Sequence, residues 1–257
     1  MKKTLLGISK KYAVRVIAAL AVASAACQTA NADPITTVFD SSWTQIANDD
    51  GIVGPGGGGQ AFDAEYLYYK LNGNTLSIGL QAGFDLVDGD VYYSGKWYYA
   101  GDLALSFDGN ASTGNAATYE YGFDFGLLTK DYQGDMVGDT DGINDAGLYK
   151  VTKWNTDVYS GHVISNPFAM ESGTLISSAN GTTSKGQYND SYWRIVSFDI
   201  TSIGNFAALD AHWTMSCGND AIDGHAAAPV PEPATMLLFG TGISGLAAFQ
   251  RRKFKKA

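Results

Sequence analysis

Between Asp33 and Val230 the apolar residues recur at every second position in short runs, and no long helical stripe interrupts them. Leu76, Ile78 and Leu80 alternate with Ser77, Gly79 and Gln81. Leu103, Leu105 and Phe107 alternate with Ala104, Ser106 and Asp108, and Tyr119, Tyr121, Phe123 and Phe125 with Glu120, Gly122 and Asp124. Tyr192, Arg194, Val196, Phe198 and Ile200 form one face of a further run. A period of two places successive side chains on opposite faces of a strand. Turn signals divide the runs at Asn72-Gly73-Asn74, Asp88-Gly89-Asp90 and Asp108-Gly109-Asn110. Many short strands in a chain of this size predict an all-β fold, a single β-sandwich of jelly-roll-like character.

The two ends obey different rules. Lys2, Lys3, Lys10, Lys11 and Arg15 precede the apolar run Val16 to Ala26, and Ala30-Asn31-Ala32 follows it. Basic, apolar and small-residue segments in that order are the parts of a secretory signal, here expected to be cut before Asp33 by signal peptidase during export. Cys27 lies within the removed segment, and Ser24 stands where lipoprotein processing would want a larger aliphatic residue. At the other end, Val230-Pro231-Glu232-Pro233 leads into an uncharged stretch from Ala234 to Phe249, closed by Gln250-Arg251-Arg252-Lys253-Phe254-Lys255-Lys256. The stretch is at the short end for a membrane helix and needs snorkelling basic residues or local thinning. The basic cluster should stay cytoplasmic, and the prolines keep the chain before Ala234 extended and accessible.

This order of parts resembles the PEP-CTERM sorting signal of Gram-negative bacteria. Pro231, Glu232 and Pro233 match its motif, and Arg251, Arg252 and Lys253 its basic end. The resemblance covers about the last tenth of the chain. It implies transient tethering in the inner membrane through residues 234–249, cleavage by exosortase near the tripeptide, and a final place at the cell surface or in an extracellular matrix or biofilm. A plain membrane anchor with a proline linker is the alternative. The expected organisation is a signal peptide over 1–32, an ectodomain over 33–223, a linker over 224–230 and a sorting and anchor segment over 231–257.

Charge then narrows the partners. From Asp33 to Val230 seven Lys plus Arg face 25 Asp plus Glu, a net charge of −18 where the whole chain carries −9. Such a domain is a poor partner for nucleic acid or anionic membrane. Cys217 alone survives signal cleavage, so an internal disulfide framework is excluded and burial of a lone thiol is expected.

Candidate chemistry is sparse. His162, His212 and His225 stand at no familiar metal spacing, and no G-x-S-x-G occurs. Gly54-Pro55-Gly56-Gly57-Gly58-Gly59 reads as a loop, since no Lys-Ser/Thr follows as a phosphate cradle requires. Glu120 and Asp124 share a strand face roughly 13 Å apart, too far for a retaining glycosidase, and read as a solvated face unless another strand supplies a partner. Asp139, Asp141 and Asp145, with Gly142 between them, place carboxylates at alternate positions around a turn, a pattern that suits Ca²⁺; the competing reading is an acidic turn. Trp97-Tyr98-Tyr99, Tyr66, Tyr68, Tyr69, Trp154 and Trp193 are expected to fill cores, though exposed rings on a sandwich can stack on sugars. The leading expectation is a non-enzymatic structural or adhesive surface protein, in the exopolysaccharide setting that the resemblance to PEP-CTERM proteins implies. A lectin-like carbohydrate-binding module comes second and a secreted glycoside hydrolase third.

Overall fold

The computed structural model describes residues 32–48, 59–138, 145–159, 163–178, 184–204 and 206–227. The chain divides into two units, Met1–Ala226 and Ala227–Ala257, and all of the second except Ala227 lies outside the described residues. Pro231, Glu232, Pro233, the anchor expected over 234–249, and Arg251, Arg252 and Lys253 therefore fall outside them, as do the expected signal peptide, Gly54 to Gly58 and His162. Among the described residues no helix is long and apolar enough to cross a membrane.

The first unit is built of antiparallel strands. One sheet has the order β1-β2-β3-β11-β10, from β1 (Thr44–Asn48), β2 (Ala64–Asn72), β3 (Thr75–Ala82), β10 (Ser184–Tyr188) and β11 (Ser191–Asp199). The other has the order β13-β12-β6-β7-β8-β9, from β6 (Leu103–Ser106), β7 (Tyr121–Asp124), β8 (Gly147–Asn155), β9 (Ala169–Ser178), β12 (Ala208–Thr214) and β13 (Ala221–Ala227). A separate hairpin joins β4 (Asp90–Tyr93) to β5 (Lys96–Tyr99). Four consecutive strands, β6 to β9, lie side by side, so the second sheet is largely a meander.

The alternation explains the core. Leu76, Ile78 and Leu80 of β3, with Val196 and Phe198 of β11, meet Leu103 and Leu105 of β6, Phe123 of β7 and Leu209, Ala211 and Trp213 of β12 in one buried cluster. Phe123 and Phe198 stack across the two sheets at 5.3 Å. The Trp213 indole, fully enclosed, donates to the Gly101 carbonyl at 3.1 Å. The turn at Gly73 has φ 59°, the left-handed conformation that favours glycine in a two-residue hairpin.

The outer faces depart from expectation. The segment ahead of β1 lies on the outside of the first sheet, where Phe39 stacks on Tyr68 at 4.2 Å and Ile35, Tyr66 and Trp193 complete a second apolar cluster. Its backbone is tied to buried Gln81, which takes the Ile35 N–H and donates to the Asp33 carbonyl and to Glu65. Over the second sheet, Met170 and Trp154 close on β7, so that a Cβ at Gly122 would meet the Met170 sulfur at 2.4 Å. Each sheet is thus covered in part on the side away from the main core, the second around Gly122 of β7. β13 also runs through Gly224, His225, Ala226 and Ala227, so the linker expected from 224 is strand as far as Ala227. Gly224 has no room for a side chain beside Ile46 and packs as part of the sheet.

Candidate functional site

Around β6 and β7 the cladding encloses polar side chains, whereas Asp223 and His225 on β13 stay exposed. In β6 and β7, Leu103 pairs with Phe123 and Leu105 with Tyr121, and these residues face the core. The same register sets Asp102 opposite Asp124 on the other face, and both are buried. Directly opposed residues on antiparallel strands have Cβ atoms about 4.5–5.5 Å apart. Met170 N–H donates to Asp102 at 2.8 Å, and Gly126 N–H donates to Asp124 at 2.5 Å. Burial pushes both carboxyls up. For Asp102 the neighbouring Asp124 adds to the effect. Asp124 rises to about 7, with the Gly126 hydrogen bond and the Arg194 charge opposing burial and the charge of Asp145 adding to it. Two carboxyls so close in a dry site share protons rather than both ionising.

This revises the expectation for Glu120 and Asp124. Glu120 lies just before β7 and is half-buried, and Asp124 is not on a solvated face. A carboxylate from another strand does come near Asp124, but the pair is sealed from solvent. Arg194 faces inward from β11 with the core residues of its run; it donates to the Phe125 carbonyl at 3.2 Å and lies over the Phe125 ring.

A second polar cluster spans β12 and β13. His212 Nδ1 lies 2.9 Å from Asp223, and His225 Nδ1 lies 2.6 Å from Asp210, so two cross-strand His–Asp pairs sit side by side. Burial alone would raise the Asp223 carboxyl, but hydrogen bonds from His212, Thr113 and Tyr119 hold it below the usual range. His212 is fully enclosed, and among the described residues its Nε2 has no hydrogen-bond partner. An imidazole oriented by a carboxylate resembles half of a catalytic triad, but a base must reach a substrate proton, and this ring is covered, with Tyr119 tilted beside it.

Cys217 is not a nucleophile of this cluster. It packs in the main core just beyond β12, and burial pushes its thiol up to about 12. The expectation of a buried lone thiol holds. Asp139 and Asp141 lie outside the described residues. Asp145 is exposed, and its carbonyl accepts the Tyr149 hydroxyl at 2.9 Å. Among the described residues no group of three or more His, Cys, Asp or Glu is arranged to hold a metal.

The aromatic residues divide. Tyr66, Tyr68 and Tyr99 are buried, as core filling requires, and Trp154 and Trp193 pack against the cladding clusters. Trp97 departs from the expectation and stands half in water together with Tyr92 and Tyr93, none of which the alternation pattern singled out.

The chain's address lies at its end. Residues 229–253 match the PEP-CTERM protein-sorting motif. The PEP-CTERM match spans Pro231, Glu232 and Pro233 together with Arg251, Arg252 and Lys253. It begins two residues after β13 ends at Ala227. The PEP-CTERM motif implies exosortase as processing partner, and export to the cell surface by way of a membrane-anchored precursor. Comparison with curated proteins gives no match, and comparison with solved structures gives none.

Proposed function

We propose that this protein is a non-enzymatic component of the cell surface or extracellular matrix, structural or adhesive in an exopolysaccharide setting and released from its membrane tether by exosortase. The observation that carries this reading is the sorting motif at 229–253, attached directly to a folded all-β unit that ends with β13. The absence of hydrolysis belongs to the proposal. The carboxyl pair Asp102 and Asp124 and the ring of His212 are enclosed, so a polysaccharide has no access to them. Fractionation of cells carrying an epitope near Ala227 tests the sorting step. Replacing Pro231, Glu232 and Pro233 together by Ala should leave a full-length, membrane-bound form, because the apolar span and basic end that hold the membrane are intact. If that variant is still shortened and recovered outside the cell like the wild type, a plain anchor replaces the sorting reading.

A second reading, a carbohydrate-binding module, is favoured by one observation: Trp97 and Tyr92 lie in contact, with their ring centroids 5.1 Å apart, and outside any core.

A further inference from the structure

The ribbon of β4 and β5 belongs to neither large sheet. Its register pairs Asp90 with Tyr99, Val91 with Tyr98, Tyr92 with Trp97 and Tyr93 with Lys96. The two turn residues, Ser94 and Gly95, have φ of 51° and 88°, the left-handed pair of a type I′ hairpin. Alternation then sorts the side chains by face.

One face is anchored. Tyr98, and Tyr93 although it is 51% exposed, stand edge-on to buried Phe62 at 5.2 and 5.4 Å. The Lys96 ammonium lies 3.3 Å from the centroid of the Tyr132 ring and donates to the Tyr132 carbonyl. Val91 packs against the main core. On the other face, towards the tip, Tyr92 and Trp97 are 59% and 50% exposed, with their rings tilted by 51°. The fold uses aromatic contacts to fix the ribbon by one side and leaves an indole and a phenol bare on the other. Neither ring contributes much to folding from that position.

We propose that Tyr92 and Trp97 form the contact platform for a neutral pyranose unit of a polysaccharide, with the C–H face of the sugar lying on the rings. This rests on the carbohydrate-binding reading above and gives it a site. The electron-rich face of an aromatic ring attracts the weakly positive hydrogens on one side of a pyranose. Size favours a sugar over a protein partner. The bare strip is one face of a hairpin whose strands are four residues each, well short of the roughly 800 Å² that each partner of a stable protein complex buries. Charge selects among glycans and lipids. The exported part carries 25 acidic against seven basic residues, and Asp85, Asp88 and Asp90 gather where the ribbon begins. That field repels uronate-rich chains and anionic headgroups, while its carboxylates accept hydrogen bonds from hydroxyls. The I′ turn and the anchored face hold the two rings in place before binding, so little conformational freedom is lost.

Affinity electrophoresis of the full chain in mild detergent tests this, in gels containing hydroxyethyl cellulose, galactomannan, laminarin or alginate. Retardation by at least one of the three neutral polysaccharides is expected, without retardation by alginate. Trp97→Ala should weaken it at least about twofold, the lower end for loss of an aromatic stacking contact, and Trp97→Phe should weaken it less. Near-UV circular dichroism checks folding, and Tyr92→Ala carries the same test should Trp97→Ala not fold. Equal retardation of wild type and both alanine variants overturns the platform and leaves carbohydrate binding standing elsewhere on the domain. No retardation by any polysaccharide overturns the platform and the carbohydrate-binding reading together. Retardation by alginate alone, or self-association that vanishes in Trp97→Ala, overturns the choice of ligand.

Discussion

Replacing Asp124 by Asn should change how stability depends on pH. In the folded protein the Asp124 carboxyl titrates at about 7, because burial outweighs the Gly126 hydrogen bond and the Arg194 charge. In the unfolded chain it should titrate near the ordinary value of about 3.9. Between those two pH values the folded state holds a proton that the unfolded state has released. Stability must therefore fall as pH rises through this window, at about 1.4 kcal/mol per pH unit. The contribution is fully present below pH ~4 and gone above pH ~7, a total of up to about 4 kcal/mol. Asn cannot ionise, and its side-chain oxygen can still accept the Gly126 N–H. At pH 4 the variant should match the wild type or be slightly weaker; at pH 8 it should be more stable by a few kcal/mol, with about 4 as the ceiling. Urea unfolding at half-unit steps from pH 4 to pH 8 measures this difference directly. Carboxyls held below their usual range, such as Asp223, act in the opposite sense, but they are common to both proteins and cancel. Parallel stability curves for the two proteins across the window would refute the buried, proton-sharing pair.

Gly83→Ala should destabilise by at least the upper end of the roughly 1–3 kcal/mol typical of overpacking, because its Cβ would fall 1.7 Å from the Gln60 carbonyl oxygen, which no rotamer change relieves; thermal unfolding reads it, and a wild-type midpoint would contradict the close approach. Cys217 should resist a thiol reagent in the native protein at pH 8 and react on unfolding, since its thiol is enclosed and pushed up to about 12; rapid native labelling would contradict this. If the run of Asp139, Asp141 and Asp145 binds calcium, millimolar metal should raise the unfolding temperature and Asp141→Ala should remove the rise. Neutralising Asp145 in that way should also lower the pH at which Asp124 titrates, because the Asp145 charge helps to raise it; no calcium-dependent shift leaves an acidic turn.

The strands that form the main core were legible because period two survives wherever one face is buried. Leu76, Ile78 and Leu80 reappear as the inner face of β3, and Val196 and Phe198 as that of β11. The outer faces were not legible. Alternation predicts that residues opposite a core face, Glu120 and Asp124 among them, meet water. The reading failed because Met170 and Trp154, distant in sequence, fold over β7. Gly122 is the one local trace, a residue without a side chain where those two must fit. Asp102 could not be paired with Asp124 from sequence, since the pairing depends on the register of two strands separated by a long connection. The sorting motif needed no fold at all, which is why it could be read residue by residue.

Enclosure and exposure separate what this domain's unusual side chains can do. Asp102, Asp124 and His212 have the residue types of catalysis, yet each is covered, and a group that cannot touch a ligand can act only on the stability of the fold. Tyr92 and Trp97 have no catalytic chemistry, yet they are held in contact on a rigid ribbon and face water. The enclosed Asp102, Asp124 and His212, set against two outward aromatic rings, fit the proposed surface that holds a polymer, although the His225 ring, 2.6 Å from Asp210, stands in water. The two kinds of feature also fail independently. Opening the cladding, for example with Gly122→Val against the Met170 sulfur and the Trp154 ring, should cost stability and let water reach the acid pair while leaving the tip of the ribbon intact. Polysaccharide retardation should then persist below the lowered unfolding temperature. Its loss in the folded variant would mean that ligand binding depends on the enclosed carboxyls and not on the exposed rings alone.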